Sequence, residues 1–264
     1  MTTIPQKSQQ KISAPSSGKL DQESLQHGLQ LAGARVYTYG ETAIVLELEK
    51  SNERLAPGKQ QYIWALAHLF QQRWAEHPSI RDVVPANHNL TIIFDPLSEH
   101  VTKWIRKLSQ CWHDLNQQNT STTTTPFAGT RTHRLAVAYG GEYGPDLKAV
   151  AQIHGLDVEE VIKRHTASMY TVAFVGFQPG FAYLDGLDPV LHTPRLAQPR
   201  QRIPPNSVAI GGRQTGIYPA ASPGGWHIIG RYIRETQASL FDAQREQPSL
   251  LSTGDLVNFV WANA

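Results

Sequence analysis

The chain has 264 residues, of which 40% are hydrophobic and 17% charged, and its formal net charge is +2. That length allows one large or two ordinary domains, and so small a charge, without basic runs or aromatic-basic interleaving, argues against a nucleic-acid surface. One cysteine, Cys111, excludes an internal disulfide and a multi-cysteine metal site.

Residues 1–33 are rich in Gln, Ser and Lys, which predicts a disordered extension. The opening MTTIPQKSQQKISAPSSGK has no apolar signal core, and no stretch approaches the ~20 apolar residues of a membrane span, so a cytoplasmic protein is expected. From residue 34 the pattern becomes that of a small α/β domain, 34–115. ARVYTYG and TAIVLELE read as strands, and Leu55 to Trp74 carries Ile63, Leu66, Ala67, Phe70 and Trp74 at helical spacing. IRDVVPA and NLTIIFDP give two more strands around Asn87-His88-Asn89. Ser98 is placed to cap a helix with Val101, Trp104, Ile105, Leu108 and Trp112 on one side. The order ββαββα predicts two helices on one face of an antiparallel sheet.

Residues 116–132, NQQNTSTTTTPFAGTRT, offer little to bury and read as a linker. The remainder, 133–264, is expected to be β-rich, a barrel or closed sandwich, so the whole is an α+β chain. HRLAVAYG is its first strand. Two short helices follow at about 147–154 and 157–166, the second opening on Asp157 with Glu160 three residues later, a capping-box pattern. TVAFVGF reads as a buried strand, with short strands near VAIGG, GIYP, WHIIGR and LVNFVWA.

Between Phe174 and Arg231 lie eight of the 17 prolines and nine of the 20 glycines, a composition that describes shaped loops. The large apolar residues among them can anchor a core, so this stretch fits either rigid functional loops or a domain that needs many turns. From His165 to Arg234 there are six arginines against two acids, and no lysine follows Lys163. A planar guanidinium suits carboxylate or phosphate, though each arginine could instead pair with loop carbonyls. His165, at the end of its helix, is either held by the helix dipole or a general acid-base candidate. Tyr183 can donate a hydrogen bond from a ring that also packs. Gly224-Gly225 could expose backbone N–H groups to an oxyanion or form a tight turn. Gln214 and Thr215 suit the orientation of an amide. The chain contains no GxxxxGK[ST] loop, GxSxG elbow or HExxH helix, and its histidines lack ligand spacing, so no metal is assigned.

Several long motifs, in order, carry a family resemblance: YGETAIVLELE (39–49), VVPANHNLTIIFDP (83–96), YGGEYGPDL (139–147), RHTASMYTVAFVGFQPGFAYLDGLDP (164–189), TPRLAQPRQRIPPNSVAIGGRQTGIYPAASPGGWHIIGR (193–231) and STGDLVNF (252–259). Over about residues 34–260 the chain resembles the B subunit of the bacterial ATP-dependent 5-oxoprolinase. This family is also called allophanate hydrolase subunit 1 and includes the Kip-type sporulation-kinase inhibitor. The resemblance implies a cyclophilin-like β-barrel after the small α/β domain. It also implies work with 5-oxoprolinase subunits A and C, the second of them like a biotin-dependent carboxyltransferase, opening the lactam of 5-oxoproline to L-glutamate. ATP would be the co-substrate, bound here or elsewhere in the complex. Inhibition of a sensor histidine kinase and a part in urea or allophanate metabolism are the other activities it implies. The expected pocket is formed by loops 177–183, 195–202 and 213–231. In it His165 would be the proton shuttle, Arg200, Arg202 and Arg213 would hold carboxylate or phosphoryl oxygens, and Gln214 and Thr215 would orient the amide. Tyr183, Gly224, Gly225 and Arg231 would complete it. The segment YIRETQAS is a few residues longer than the family's usual one.

Overall fold

The computed structural model describes residues 28–49, 59–118, 130–233 and 238–262, so part of YIRETQAS and most of the expected linker lie outside the described residues. The chain divides into two compact units, the first ending at Thr122.

The first unit runs β1 (Leu29–Leu31), β2 (Ala34–Tyr39), β3 (Ala43–Leu48), α1 (Lys59–Trp74), β4 (Ile80–Ala86), β5 (Asn89–Phe94) and α2 (Val101–Gln118). Its sheet has the order β1-β2-β3-β5-β4 and every pairing is antiparallel. Alternation along the strands sends Val36, Leu46 and Leu90, which stand in register, to the same buried face. Ile63, Leu66 and Phe70 of α1 and Trp104, Leu108 and Cys111 of α2 pack in the same core. Lys107 lies over the rings of Trp74 (4.2 Å) and Trp104 (3.9 Å), its stem covering apolar surface while its charge meets Glu99 at 3.4 Å.

Three details differ from the sequence expectation. Residues 29–31, expected within the extension, form β1 and pair with β2, because three residues of ladder need no long apolar run. Helix α2 continues through residues 116–118, which the composition places in the linker. Ser98 does not cap α2: its hydroxyl donates to the Asp95 carbonyl in the preceding turn, and the His100 ring accepts from the Thr102 N–H at the helix start.

The second unit contains β6 (Thr132–Tyr139), α3 (Leu147–His154), α4 (Val158–Ala167), β7 (Met169–Val175), β8 (Ala182–Asp185), a 3₁₀ turn (Pro189–Leu191), β9 (Arg200–Ile203), β10 (Ser207–Gly211), β11 (Gln214–Ile217), β12 (Ser222–Gly224), β13 (His227–Tyr232) and β14 (Leu256–Trp261). Seven strands close a barrel in the order β10-β11-β8-β7-β14-β6-β13, and β9 and β12 form a separate ribbon. Only the β14–β6 pairing in the barrel is parallel. Period-two alternation gives the barrel wall two apolar faces. Val208 and Ile210 join the main core with Val172, Leu184, Ile217, Ile229, Val257 and Phe259. Ala209, between them, joins a second core with Phe181, Ile203, Tyr218, Trp226 and Ile228.

Helix α4 starts as the sequence predicts, with the Asp157 side chain accepting from the Glu160 N–H at 2.6 Å. Asp157→Ala is expected to lower stability by about 1 kcal/mol, read as a fall in melting temperature, because that N–H then loses its partner. Among the described residues no helix is long and apolar enough to cross a membrane, and no group of three or more His, Cys, Asp or Glu could hold a metal ion.

Candidate functional site

His165 lies in the last turn of α4 and is 0% exposed. Its Nδ1 is 2.7 Å from the Tyr139 hydroxyl on β6, and its Nε2 is 3.0 Å from Thr215 Oγ1 on β11. Thr215 donates its own hydroxyl proton to the Ala209 carbonyl at 3.0 Å. Nε2 must therefore carry the ring proton and give it to Thr215 Oγ1, while Nδ1 accepts from Tyr139. The ring also packs on Phe259 of β14, centroids 4.6 Å apart, so it joins strands from opposite walls of the barrel. Desolvation lowers its pKa to about 3, so the imidazole is neutral. Burial likewise raises the Tyr139 hydroxyl well above its ordinary range and pushes the Tyr170 hydroxyl up, which keeps both protonated as donors. Both ring nitrogens are engaged inside the barrel. The helix dipole would favour the charged ring that burial forbids, and a proton shuttle needs a nitrogen facing its substrate. The ring is a buried tie between four elements.

The outer face of the same wall is different in character. The Trp226 indole rests against backbone that only glycine supplies: a Cβ added at Gly211 would fall 2.5 Å from the indole, and one at Gly216 3.3 Å from it. Phe181 and Tyr183 meet Trp226 edge-on at 5.7 and 5.8 Å, and Phe174 stacks on Tyr183 at 4.2 Å. Phe177, at a positive φ of 68°, holds its ring over Phe181 (5.5 Å) and Tyr218 (6.2 Å) while remaining 60% exposed. A non-glycine residue in that conformation is strained, and the GFQPG turn places an aromatic ring at the surface with it. Arg195 adds charge: its guanidinium carbon is 5.8 Å from the Trp226 ring centroid.

The residues expected in one pocket are therefore distributed. His165 and Thr215 face the barrel core, and Tyr183 lies on the aromatic outer face. Gln214, next to Thr215, donates from Nε2 to Asp185 at 2.8 Å. Arg200 is bound at 2.6 Å to Asp146, whose second oxygen accepts from the Ile228 N–H, so it clamps the β9–β12 ribbon to the loop before α3. Arg231 lies over Tyr143 at 5.2 Å. Arg202 and Arg213 are exposed. Gly224 makes room, since a Cβ there would fall 2.5 Å from the Tyr218 hydroxyl, and the Gly225 carbonyl accepts from the Leu196 N–H at 2.8 Å. Arg195 has no sequence signal of its own beyond its place in an expected pocket loop. Phe181 and Trp226 read in the sequence as core anchors only; the pairing that puts Trp226 on Gly211 and Gly216 leaves no local signal. Shallow concavities of about 480 Å³ beside Trp261 and about 360 Å³ beside Arg245 hold none of the expected residues.

The family model described as carboxyltransferase domain, subdomain C and D, matches residues 34–251. The chain is 42% identical over 227 residues to the 5-oxoprolinase B subunit of Escherichia coli O157:H7, covering 86% of this chain and 95% of that protein. It belongs to the family of 5-oxoprolinase B subunits. Among solved structures, TTHA0988 is similar at 32% identity with a TM-score of 0.66, covering 84% of this chain and 40% of that one. The Kluyveromyces lactis urea carboxylase shares the fold at 18% identity and a TM-score of 0.69, covering 87% of this chain and 22% of that one. The chain thus spans less than half the length of these two solved chains.

Proposed function

We propose that this chain is part of a multi-subunit complex that opens the lactam of 5-oxoproline to L-glutamate at the expense of ATP. The observation that carries the reading is the match to a named 5-oxoprolinase B subunit over 95% of that protein's length. The geometry is compatible with a chain that supplies one wall of a shared site. Its aromatic and arginine-bearing face combines Phe174 and Tyr183 from strands with Arg195 and Trp226 from loops, and Phe177 stands exposed beside it.

The chemistry explains the need for ATP. An amide carbonyl resists water, and phosphorylation of the lactam oxygen turns it into a far better electrophile. Water then adds at the carbon and the C–N bond breaks, freeing the amino group and leaving an acyl phosphate, which a second water hydrolyses to the carboxyl group of glutamate and free phosphate. The nucleotide is bound either by this chain, which has no GxxxxGK[ST] loop, or by another subunit of the complex. Subunits A and C, the latter carboxyltransferase-like, are its partners. This chain's share is to bind and orient the lactam, and His165 acts by holding the barrel wall behind that face.

Co-expression with subunits A and C should give ATP-dependent release of glutamate from 5-oxoproline, with urea and allophanate as control substrates. Loss of turnover when this chain alone is omitted is the expected result. An assembled complex that leaves 5-oxoproline untouched refutes the reading.

A further inference from the structure

The arginines of the second unit differ in what already holds them. Arg164 and Arg200 are in ion pairs, and Arg231 lies over Tyr143. Arg195 is exposed, and among the described residues no ion pair engages it. Two contacts bear on where it lies. The Leu196 N–H donates to the Gly225 carbonyl at 2.8 Å, which ties the residue after Arg195 to the residue before Trp226. The guanidinium then lies near the Trp226 ring, itself 4% exposed and backed by Gly211 and Gly216.

The neighbouring phenols suit the same ligand. Tyr183 is half-buried, edge-on to Trp226, and close enough to Arg195 to feel its charge. Burial is the larger effect and raises its pKa, so the hydroxyl stays a donor. Tyr218, only 2% exposed, has its pKa raised by burial to about 12. It is floor, whereas Arg195, Tyr183 and Phe177 are the reachable groups. A fork of N–H donors beside a phenol and an apolar ring matches a flat ring carrying a carboxylate.

We propose that Arg195 and Tyr183 form a carboxylate subsite that selects an anionic lactam over a neutral one. This rests on the reading of the chain as a component of 5-oxoprolinase, since the carboxylate in question is that of 5-oxoproline. Arg195 acts on substrate binding and leaves the ring-opening step to the shared site. Its strength as a charge-assisted pair makes it the main determinant of which lactam enters.

The test uses the complete complex, with 5-oxoproline and the carboxylate-free 2-pyrrolidinone compared as substrates or as competing ligands. For Arg195→Gln the KM for 5-oxoproline should rise on the order of 10–100-fold, with kcat changed far less, as for a lost ground-state contact. The effect on 5-oxoproline should exceed that on 2-pyrrolidinone by at least about tenfold. Arg195→Lys should fall between, keeping the charge and losing the fork. Tyr183→Phe should show the same preference to a smaller degree. Equal losses for both lactams would mean that Arg195 only supports Trp226, and an unchanged KM for 5-oxoproline would mean that it does not touch substrate. Either result overturns the subsite while the wild-type complex still turns over 5-oxoproline. A wild-type complex inactive on 5-oxoproline removes the functional reading and the subsite together.

Discussion

His165→Ala is expected to unfold the barrel at lower temperature rather than leave a folded, silent chain. The substitution removes a ring that is 0% exposed and packed on Phe259, and it strips the Tyr139 hydroxyl of its acceptor and Thr215 Oγ1 of its donor. A cavity of that size together with orphaned buried hydroxyls costs about 3–5 kcal/mol. For a unit of this size that is a fall in melting temperature on the order of 10–20 °C. His165→Gln, whose amide can still donate and accept, should recover part of the loss. A melting temperature for His165→Ala within about 2 °C of wild type would show that the tie carries little stability.

The same ring predicts a dependence on pH. The folded-state pKa is about 3 against an ordinary 6.5, so between these values the unfolded chain binds a proton that the folded chain refuses. The stabilisation is complete above 6.5 and drains away as pH falls towards 3, by up to about 1.4 kcal/mol per unit. A variant with Gln at 165 lacks this titration, and its melting temperature should fall less steeply on acidification than that of wild type.

Gly144→Ala is expected to be the second severe substitution, for a different reason. Gly144 does not require a positive φ; it requires space. A Cβ there would lie 2.0 Å from the Ile229 carbonyl oxygen and 2.7 Å from the Gly140 nitrogen, which are backbone atoms that no rotamer change can clear. The turn would have to lift from β13, where the Gly140 N–H donates to the Ile229 carbonyl and the Asp146 N–H to the Ile228 carbonyl. Displacing Asp146 also loosens Arg200 and the Ile228 N–H. A loss of about 3 kcal/mol or more follows, at the upper end for overpacking because the obstruction is main chain. Gly176→Ala, where a Cβ meets nothing within 4 Å and φ is not positive, is the control and should change stability by less than about 0.5 kcal/mol. Similar melting temperatures for the two would contradict the packing described for the 140–147 turn.

Much of the architecture is legible in local pattern. Val36, Leu46 and Leu90 sit in period-two runs, Ile63 to Phe70 repeats at helical spacing, and Asp157 with Glu160 marks the start of α4; each signal is confined to a few neighbouring residues. What is not legible is long-range. β1 is a three-residue edge that exists because β2 lies beside it, and Trp226 owes its place to two glycines on other strands. The candidate site shows the limit best. Gln214 and Thr215 look like one amide-orienting pair when read as a string, yet both lie on β11, where consecutive side chains leave on opposite faces. Thr215 goes inward to His165, and Gln214 meets Asp185. Charge counting likewise finds an arginine surplus but not which guanidinium groups are already paired, because that depends on contacts such as Asp146 reaching Arg200 across 54 residues.

The parallel pairing of β14 with β6 has a consequence for how the chain is made. Synthesis delivers β6 early, but one of its neighbours, β14, is among the last strands to appear; the Arg131 N–H and the Asp255 carboxylate that lock the two together are 124 residues apart. Until Leu256–Trp261 emerges from the ribosome, β6 and β7 each present a bare strand edge. Such distant closure is slow, and the waiting chain is open to misplaced strand pairing. Closure of the barrel therefore waits for its last strand, and a nascent chain that lacks Leu256–Trp261 has no strand to join β6 to β7.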